Sequence, residues 1–264
     1  MSKNNVILHE DDTSIKKVCR GGNYYSESSS ESSSDEQTVE HYDSDESIKR
    51  SKAFIKRRLD ALTNALTTQP GAILIGETGV GKSRLMEHLK QQLKSNCRVY
   101  YDLSSLTQWL TQPNTDNRVH ILFLDESNLT DAHLTQFANC FDKTIKDKKI
   151  HVNGELYPLP AHCKIVFASN PQSYGGGRIQ QKVFSRYDIA SLEFGQFPPH
   201  YVYQVMIKPI IDCLTEEQIN TKDFKRTCHE LISQYINKRD GIDSVRNLQH
   251  RVMKKAFATI YTPS

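Results

Sequence analysis

The feature that most constrains this chain is an eight-residue glycine-rich segment, GETGVGKS, at residues 76–83. Four apolar residues, AILI, precede it, and an amphipathic run follows with Leu85, Leu89 and Leu93 on one side. This order predicts a buried strand, a tight loop and a helix. Glycines let the backbone turn so that successive N–H groups face one anion, and the helix start adds the positive end of its dipole. The spacing is that of a phosphate-binding loop, or P-loop.

The chemistry of nucleotide phosphates assigns roles within this loop. Lys82 is predicted to reach the β- and γ-phosphates, and the Ser83 hydroxyl is predicted to bind Mg²⁺. The alternative is a glycine turn with a solvated lysine, and the flanking strand and helix argue against it. The predicted nucleotide-binding residues are Gly76, Glu77, Thr78, Gly79, Val80, Gly81, Lys82 and Ser83.

A second apolar run, in VHILFLDES, ends in two carboxylates, Asp125 and Glu126. Strands of a parallel sheet are apolar throughout because both faces are buried, and ligands bind at their carboxyl ends. Asp125 is therefore predicted to hold Mg²⁺ through its water shell, and Glu126 to act as the base for an attacking water. The alternative is a surface turn that happens to be acidic.

The remaining apolar runs predict the fold class. RVYYDL (98–103), KIVFASN (164–170) and DIASLEF (188–194) bring the strand count to five, with helical segments between several of them. The fold class is α/β, a three-layer αβα core with a five-stranded parallel sheet at residues 48–212. A small helical lid is predicted at residues 213–264. Its two apolar stripes contain Phe224, Cys228, Leu231, Ile232, Tyr235 and Ile236, then Val245, Leu248, Val252 and Ala256.

An acidic tail precedes a basic body. Residues 1–47 hold 4 of the 34 basic and 11 of the 31 acidic residues, which leaves the rest of the chain at +10. The Ser-rich stretch at residues 26–47 lacks Lys and Arg and has too little apolar surface to offset the entropy of ordering. We predict that residues 1–47 are disordered. The tail could solvate the protein, lie against the basic body, or be phosphorylated at Ser28, Ser32 and Ser33, each with an acidic residue three positions later.

From Ile48 to the stop at Gln69-Pro70-Gly71, apolar residues at helical spacing predict an amphipathic helix with a basic outer face. No apolar run reaches the roughly 18 residues of a membrane span. The first residues lack the apolar stretch of a signal peptide. The six cysteines lie far apart without a CxxC pair, so neither a zinc site nor a disulfide framework is expected. An intracellular, cytoplasmic location is expected.

Together these motifs resemble those of the AAA+ ATPases, and most closely the dynein-, midasin- and MoxR-related branch, over roughly residues 70 to 258. GETGVGKS is similar to the Walker A motif and LFLDE to the Walker B motif. The resemblance implies a sensor 1 role for Asn170 in FASNP and an arginine finger at Arg186, with Arg178 as the less favoured choice. It also implies a sensor 2 role for Arg246 in SVRNLQ.

This branch also has a hairpin before its sensor 1 strand. Asn153-Gly154 in KKIHVNGELYPLP predicts such a hairpin, because Asn-Gly is the strongest short hairpin signal. Lys146, Lys148 and Lys149 lie at its base. A plain surface hairpin is the equal alternative.

The resemblance implies an enzyme that binds and hydrolyses MgATP. The finger would come from a neighbouring subunit of a homo-oligomeric ring, a hexamer in this family, and hydrolysis would remodel an unidentified protein client. Two alternatives stay open. The +10 body favours a nucleic-acid motor, and a slow nucleotide-gated switch is the other, against which Glu126 argues. No membrane partner is expected.

Overall fold

A computed structural model describes residues 5–7, 42–125, 136–142, 144–171, 187, 189–216 and 221–261. By its contacts the chain forms two compact units. The first contains the strand Asn5–Ile7 and Arg57–Gly195. The second contains the described residues 42–56 and 196–261.

The first unit is built on a six-stranded parallel sheet. In the order in which they lie side by side, its strands are β1 (Asn5–Ile7), β8 (Ala190–Phe194), β2 (Gly71–Gly76), β7 (Cys163–Ser169), β4 (Val119–Asp125) and β3 (Cys97–Tyr101). Five of these strands are the five predicted from sequence, so the α/β fold class is confirmed. The sixth, β1, belongs to the segment that the sequence indicated as tail, and it pairs with β8 at the sheet edge.

Strand β7 lies at the centre, between β2 and β4. Its last residue, Ser169, pairs with Ile75 of β2, and Ala168 pairs with Asp125 of β4. Because all three strands run in parallel, their carboxyl ends meet at the edge of the sheet where the glycine-rich loop begins. The register thus brings the three predicted site segments together.

The core of this unit is apolar and rich in aromatic residues. Phe167 of β7 contacts Phe137 and Phe141, whose ring centroids lie 5.6 and 5.9 Å from its own. Trp109 is fully buried, and its indole N–H donates to the carbonyl of His120 at 3.0 Å. The helices and the short hairpin strands of the unit are α2 (Lys82–Leu93), α3 (Leu106–Thr111), α4 (Ala138–Phe141), β5 (Lys149–Val152) and β6 (Glu155–Pro158).

The hairpin predicted from Asn153-Gly154 is confirmed. Strands β5 and β6 pair antiparallel around it. Asn153 and Gly154 have φ of 52° and 84°. Two consecutive left-handed residues match the right-handed twist of a two-residue hairpin, and Asn-Gly is the pair that tolerates this conformation best.

Helix α1 (Asp45–Thr68) begins earlier than the sequence pattern indicated, inside the predicted tail. The reason is a cap: the backbone N–H of Ser47 donates to the Ser44 hydroxyl at 3.2 Å. A serine in this position satisfies one of the N–H groups that a helix start leaves unpaired. The apolar stripe of Leu59, Leu62 and Leu66 is buried as expected.

The second unit is helical. The short helix α5 (Pro199–Val202), a π-helical turn (Tyr203–Ile207) and α6 (Lys208–Glu216) contribute Tyr201, Tyr203 and Ile211 to its core. The sequence had assigned residues up to 212 to the nucleotide-binding core, whereas the contacts divide the chain after Gly195. The difference arises because these apolar side chains pack with those of the last two helices.

Those last two helices, α7 (Lys222–Ile236) and α8 (Val245–Tyr261), confirm the predicted stripes, except that Ile236 is 48% exposed. The hydroxyl of Tyr203 donates to Asp43 at 2.9 Å within the same unit. In the part of the chain that the structure describes, no helix combines the length and apolar character needed to cross a membrane.

Leu122→Ala should lower the free energy of unfolding of the sheet unit. Leu122 is fully buried in the core around Trp109, so the loss should be about 2–5 kcal/mol. Leu156→Ala is the matched control, because Leu156 lies on β6 and is 49% exposed; its cost should stay within about 0.5 kcal/mol. Urea unfolding followed by the fluorescence of Trp109, the single tryptophan, measures both. Equal losses in the two variants would contradict the assigned core.

Candidate nucleotide-binding site

The glycine-rich loop between β2 and α2 has the backbone conformation that its glycines were expected to provide. Gly79 and Gly81 have φ of +90° and +86°, which side chains rarely tolerate. A Cβ on Gly76 would lie 2.7 Å from Val80 Cγ2 and 2.9 Å from the Phe194 carbonyl oxygen. The loop therefore requires glycine at these three positions.

Helix α2 begins at Lys82 directly after this loop. Its N-cap residue is Gly81, which has no side chain to cap the helix, and its first turn contains no acidic residue. Lys82 and Arg84 lie in that turn instead. The first N–H groups of a helix lack partners within it and attract anions, and the helix dipole adds to this effect. An anionic group is the ligand that fits this helix start.

The Lys82 ammonium group lies at the carboxyl edge of the sheet. It donates to the carbonyls of Gly76 at 2.5 Å and Glu77 at 3.2 Å, and to the side-chain oxygen of Asn170 at 3.2 Å. Asn170 directly follows β7. The structure thus brings two predicted site residues, 88 positions apart in sequence, within hydrogen-bonding distance.

Ser83 and Asp125 form a second pair beside the first. The Ser83 hydroxyl donates to a carboxylate oxygen of Asp125 at 3.5 Å. A hydroxyl and a carboxylate are hard oxygen ligands of the kind that Mg²⁺ prefers. This donor set fits the predicted Mg²⁺ ligands, and Ser83 and Asp125 are the residues that would hold the ion.

The roles of four other site residues stay predictions. Glu126, Arg178 and Arg186 lie outside the described residues, so the base and finger roles stay predictions. Arg246 is exposed in the first turn of α8, in the helical unit, and its sensor role also stays a prediction.

Sequence reasoning missed Arg58, a residue of α1 that contacts the loop. It was assigned to a basic outer face, which is wrong for this residue: Arg58 is only 5% exposed. Its guanidinium donates to the carbonyls of Val80 at 2.9 Å and Gly195 at 3.1 Å, and lies 4.6 Å from the centre of the Phe194 ring. Arg58 therefore links the middle of the glycine-rich loop to the end of β8.

A signal for this residue was present in the sequence. Phe54, Arg58 and Leu62 follow one another at four-residue intervals, so position 58 lies on the apolar stripe of the helix. An arginine on an apolar stripe is buried only when its charge is compensated, here by two carbonyls and an aromatic face.

Comparisons with known proteins leave the chain without a family assignment. No protein-family model matches it, and no curated protein matches it. Among solved structures, the chain is similar to a point mutant of Thermotoga maritima RuvB, with 18% identity and a TM-score of 0.38, over 75% of this chain and 69% of that one. A likeness of this size does not assign a family, so function is inferred from the residues of the site.

Arg58→Met should weaken both the fold and the site. The variant keeps an apolar side chain of similar length but removes both hydrogen bonds, so the free energy of unfolding should fall by about 1–3 kcal/mol. Because one of these bonds holds the glycine-rich loop, nucleotide affinity should also fall, by roughly tenfold. Isothermal titration with ATP and urea unfolding measure the two effects.

The matched control for this prediction is Arg57→Met, because Arg57 is exposed on the same helix and next in sequence. It should leave both quantities close to those of the wild type. If the two variants bound ATP equally well, Arg58 would have no part in shaping the loop.

Proposed function

We propose that this chain is an ATPase of the AAA+ type, which binds MgATP at the glycine-rich loop and hydrolyses it to remodel a macromolecular client. The observation that supports this best is the meeting of Lys82, Ser83, Asp125 and Asn170 at one edge of a parallel sheet. A cation, a hydroxyl, a carboxylate and an amide beside an uncapped helix start match the groups that nucleoside triphosphate hydrolysis requires.

In this proposal binding is the task of the loop and helix α2. The glycine conformations leave backbone N–H groups for the phosphates, and the Lys82 ammonium exchanges carbonyl partners for phosphate oxygens. Bound Mg²⁺ would neutralise part of the developing phosphate charge. Ser83 and Asp125 would hold this ion beside the phosphates.

In this proposal, hydrolysis is carried out by the residues that directly follow β4 and β7. Glu126 takes the proton of the attacking water, and the amide of Asn170 orients that water from the end of β7. The hydrogen bond from Lys82 to Asn170 supports this placement, because it puts the amide beside the residue that would contact the γ-phosphate.

Assembly completes the proposed site. Arg186 of a neighbouring copy would stabilise charge on the transferring phosphoryl group, and Arg246 would respond to the bound nucleotide. A guanidinium is suited to this because its planar fork pairs with two phosphate oxygens. We infer a homo-oligomeric ring from this need for a second copy.

A nucleic-acid client is the second candidate, and the hairpin supports it. Lys146 and Lys149 are exposed at the base of β5 and β6, and residues 48–264 have a net charge of +10. Phosphate backbones bind such lysines with an affinity that falls steeply with salt. Binding of single-stranded DNA or RNA that weakens with salt would favour this client over a protein.

Lys82→Ala and Glu126→Gln should separate ATP binding from hydrolysis. Without Lys82 the phosphates lose the cation of the loop, so ATP affinity should fall beyond the micromolar range. Glu126→Gln should bind ATP like the wild type but turn it over at least about 100-fold more slowly, because an amide cannot accept the proton. Fluorescent-nucleotide binding and phosphate release measure the two steps.

Lys90→Ala provides the control for the loss of a lysine, since Lys90 is exposed on the same helix α2. It should match the wild type in both assays. Micromolar ATP affinity in Lys82→Ala would overturn the proposed binding site, and wild-type turnover in Glu126→Gln would show that another group is the base.

Arg186→Ala should retain ATP binding and lose hydrolysis, by the roughly 10³- to 10⁵-fold typical of arginine fingers. Mixing it with Lys82→Ala should restore part of the activity, because one kind of interface then pairs an intact loop with an intact finger. Turnover is measured across mixing ratios and protein concentrations. Mixtures no more active than either variant would mean that Arg186 does not act across an interface.

A further inference from the structure

Three side chains of the types that bind metal ions lie close together where strands β4 and β7 begin, at the opposite end of these strands from the glycine-rich loop. One ligand atom from each of His120, His162 and Cys163 lies within 4.8 Å of the other two. The pairing of strands explains the meeting. His120, near the start of β4, is the register partner of Cys163, the first residue of β7. The backbone N–H of His120 donates to the carbonyl of His162 at 2.9 Å.

Three ring nitrogens in this cluster are buried without a hydrogen-bond partner among the described residues. His120 is fully buried, and neither of its ring nitrogens has a hydrogen-bond partner among the described residues. Nε2 of His162 is also buried, and it too lacks a partner within that part of the chain. Buried polar atoms in folded proteins are almost always satisfied, so these nitrogens point to a ligand.

The imidazoles of His120 and His162 lie against each other in this cluster. The two rings are edge to face, with centroids 4.8 Å apart. The Cys163 side chain is fully enclosed, and its thiol donates to the carbonyl of Trp109 at 3.5 Å.

We propose that His120, His162 and Cys163 form a zinc site. Two imidazole nitrogens and a thiolate are the ligands that Zn²⁺ prefers, and their combination excludes the hard ions Mg²⁺ and Ca²⁺. Tetrahedral zinc distances place ligand atoms roughly 3.3–3.6 Å apart, so side-chain movements of about 1 Å close the site. On binding, Cys163 would release its thiol proton to solvent and give up its hydrogen bond to the Trp109 carbonyl, and a water would take the fourth position.

A metal ion at this site would cross-link two neighbouring strands. It joins the starts of β4 and β7, whereas the candidate nucleotide site lies where the same strands end. The proposal therefore does not depend on the proposed ATPase function. Its ligand is Zn²⁺, and its effect is to hold β4 and β7 in register.

Cobalt titration of the metal-free, full-length chain tests this site. Co²⁺ replaces Zn²⁺ in such sites, and a bound thiolate gives a charge-transfer band in the near ultraviolet. Trp109 contacts both His120 and Cys163 through hydrogen bonds, so its fluorescence should be quenched as this band appears. We expect one Co²⁺ per chain, displaced by one Zn²⁺, and a higher unfolding temperature with Zn²⁺.

Cys163→Ser should remove the charge-transfer band and weaken metal binding at least about 100-fold. His162→Asn, at a half-buried turn position, should also weaken metal binding at least about 100-fold. Cys140→Ser is the matched control: Cys140 is also a buried free cysteine of this unit, and its loss should leave binding unchanged. A wild type without the thiolate band would overturn the proposal. So would variants of Cys163 and His162 that bind as tightly as the control.

Discussion

The pairing of β7 with both β2 and β4 is the interaction on which both candidate sites depend. At its carboxyl end, this pairing sets Ala168 opposite Asp125 of β4 and Ser169 opposite Ile75 of β2, so that Asn170, the next residue, contacts Lys82. At its start it sets Cys163 opposite His120. A slip of one residue would turn every side chain of β7 to the other face of the sheet, so both sites require the same register.

The buried guanidinium of Arg58 shows how the loop is supported from outside the sheet. Glycines at positions 79 and 81 give the loop its shape but also leave it flexible, because glycine restricts the backbone least. Hydrogen bonds from Arg58 to the carbonyls of Val80 and Gly195 compensate this freedom. Burying the charge is tolerable because two carbonyls and the face of Phe194 replace its water.

Local patterns were enough to predict five of the six strands of the sheet, the glycine-rich loop and the hairpin, since each depends on residues close in sequence. Strand β1 was not predicted, because it lies in the segment that was expected to be disordered. The start of α1 was missed because Ser44 caps it from within an acidic, Ser-rich stretch. The proposed zinc site has no such local signal. The sequence contains no closely spaced cysteines, and His120 and Cys163 are 43 residues apart and meet only through strand register.

The two edges of the sheet select opposite kinds of ligand. At the carboxyl edge an uncapped helix start and Lys82 favour an anion. At the other edge, beside Trp109, a thiol and ring nitrogens that have no hydrogen-bond partner in the described part of the chain favour a cation that prefers nitrogen and sulfur. Between them β7 spans seven residues, about 20 Å. Because β7 pairs with β4 along this length, a metal at the start of the two strands would help to fix the positions of Asp125 and Asn170 at their other end through strand register.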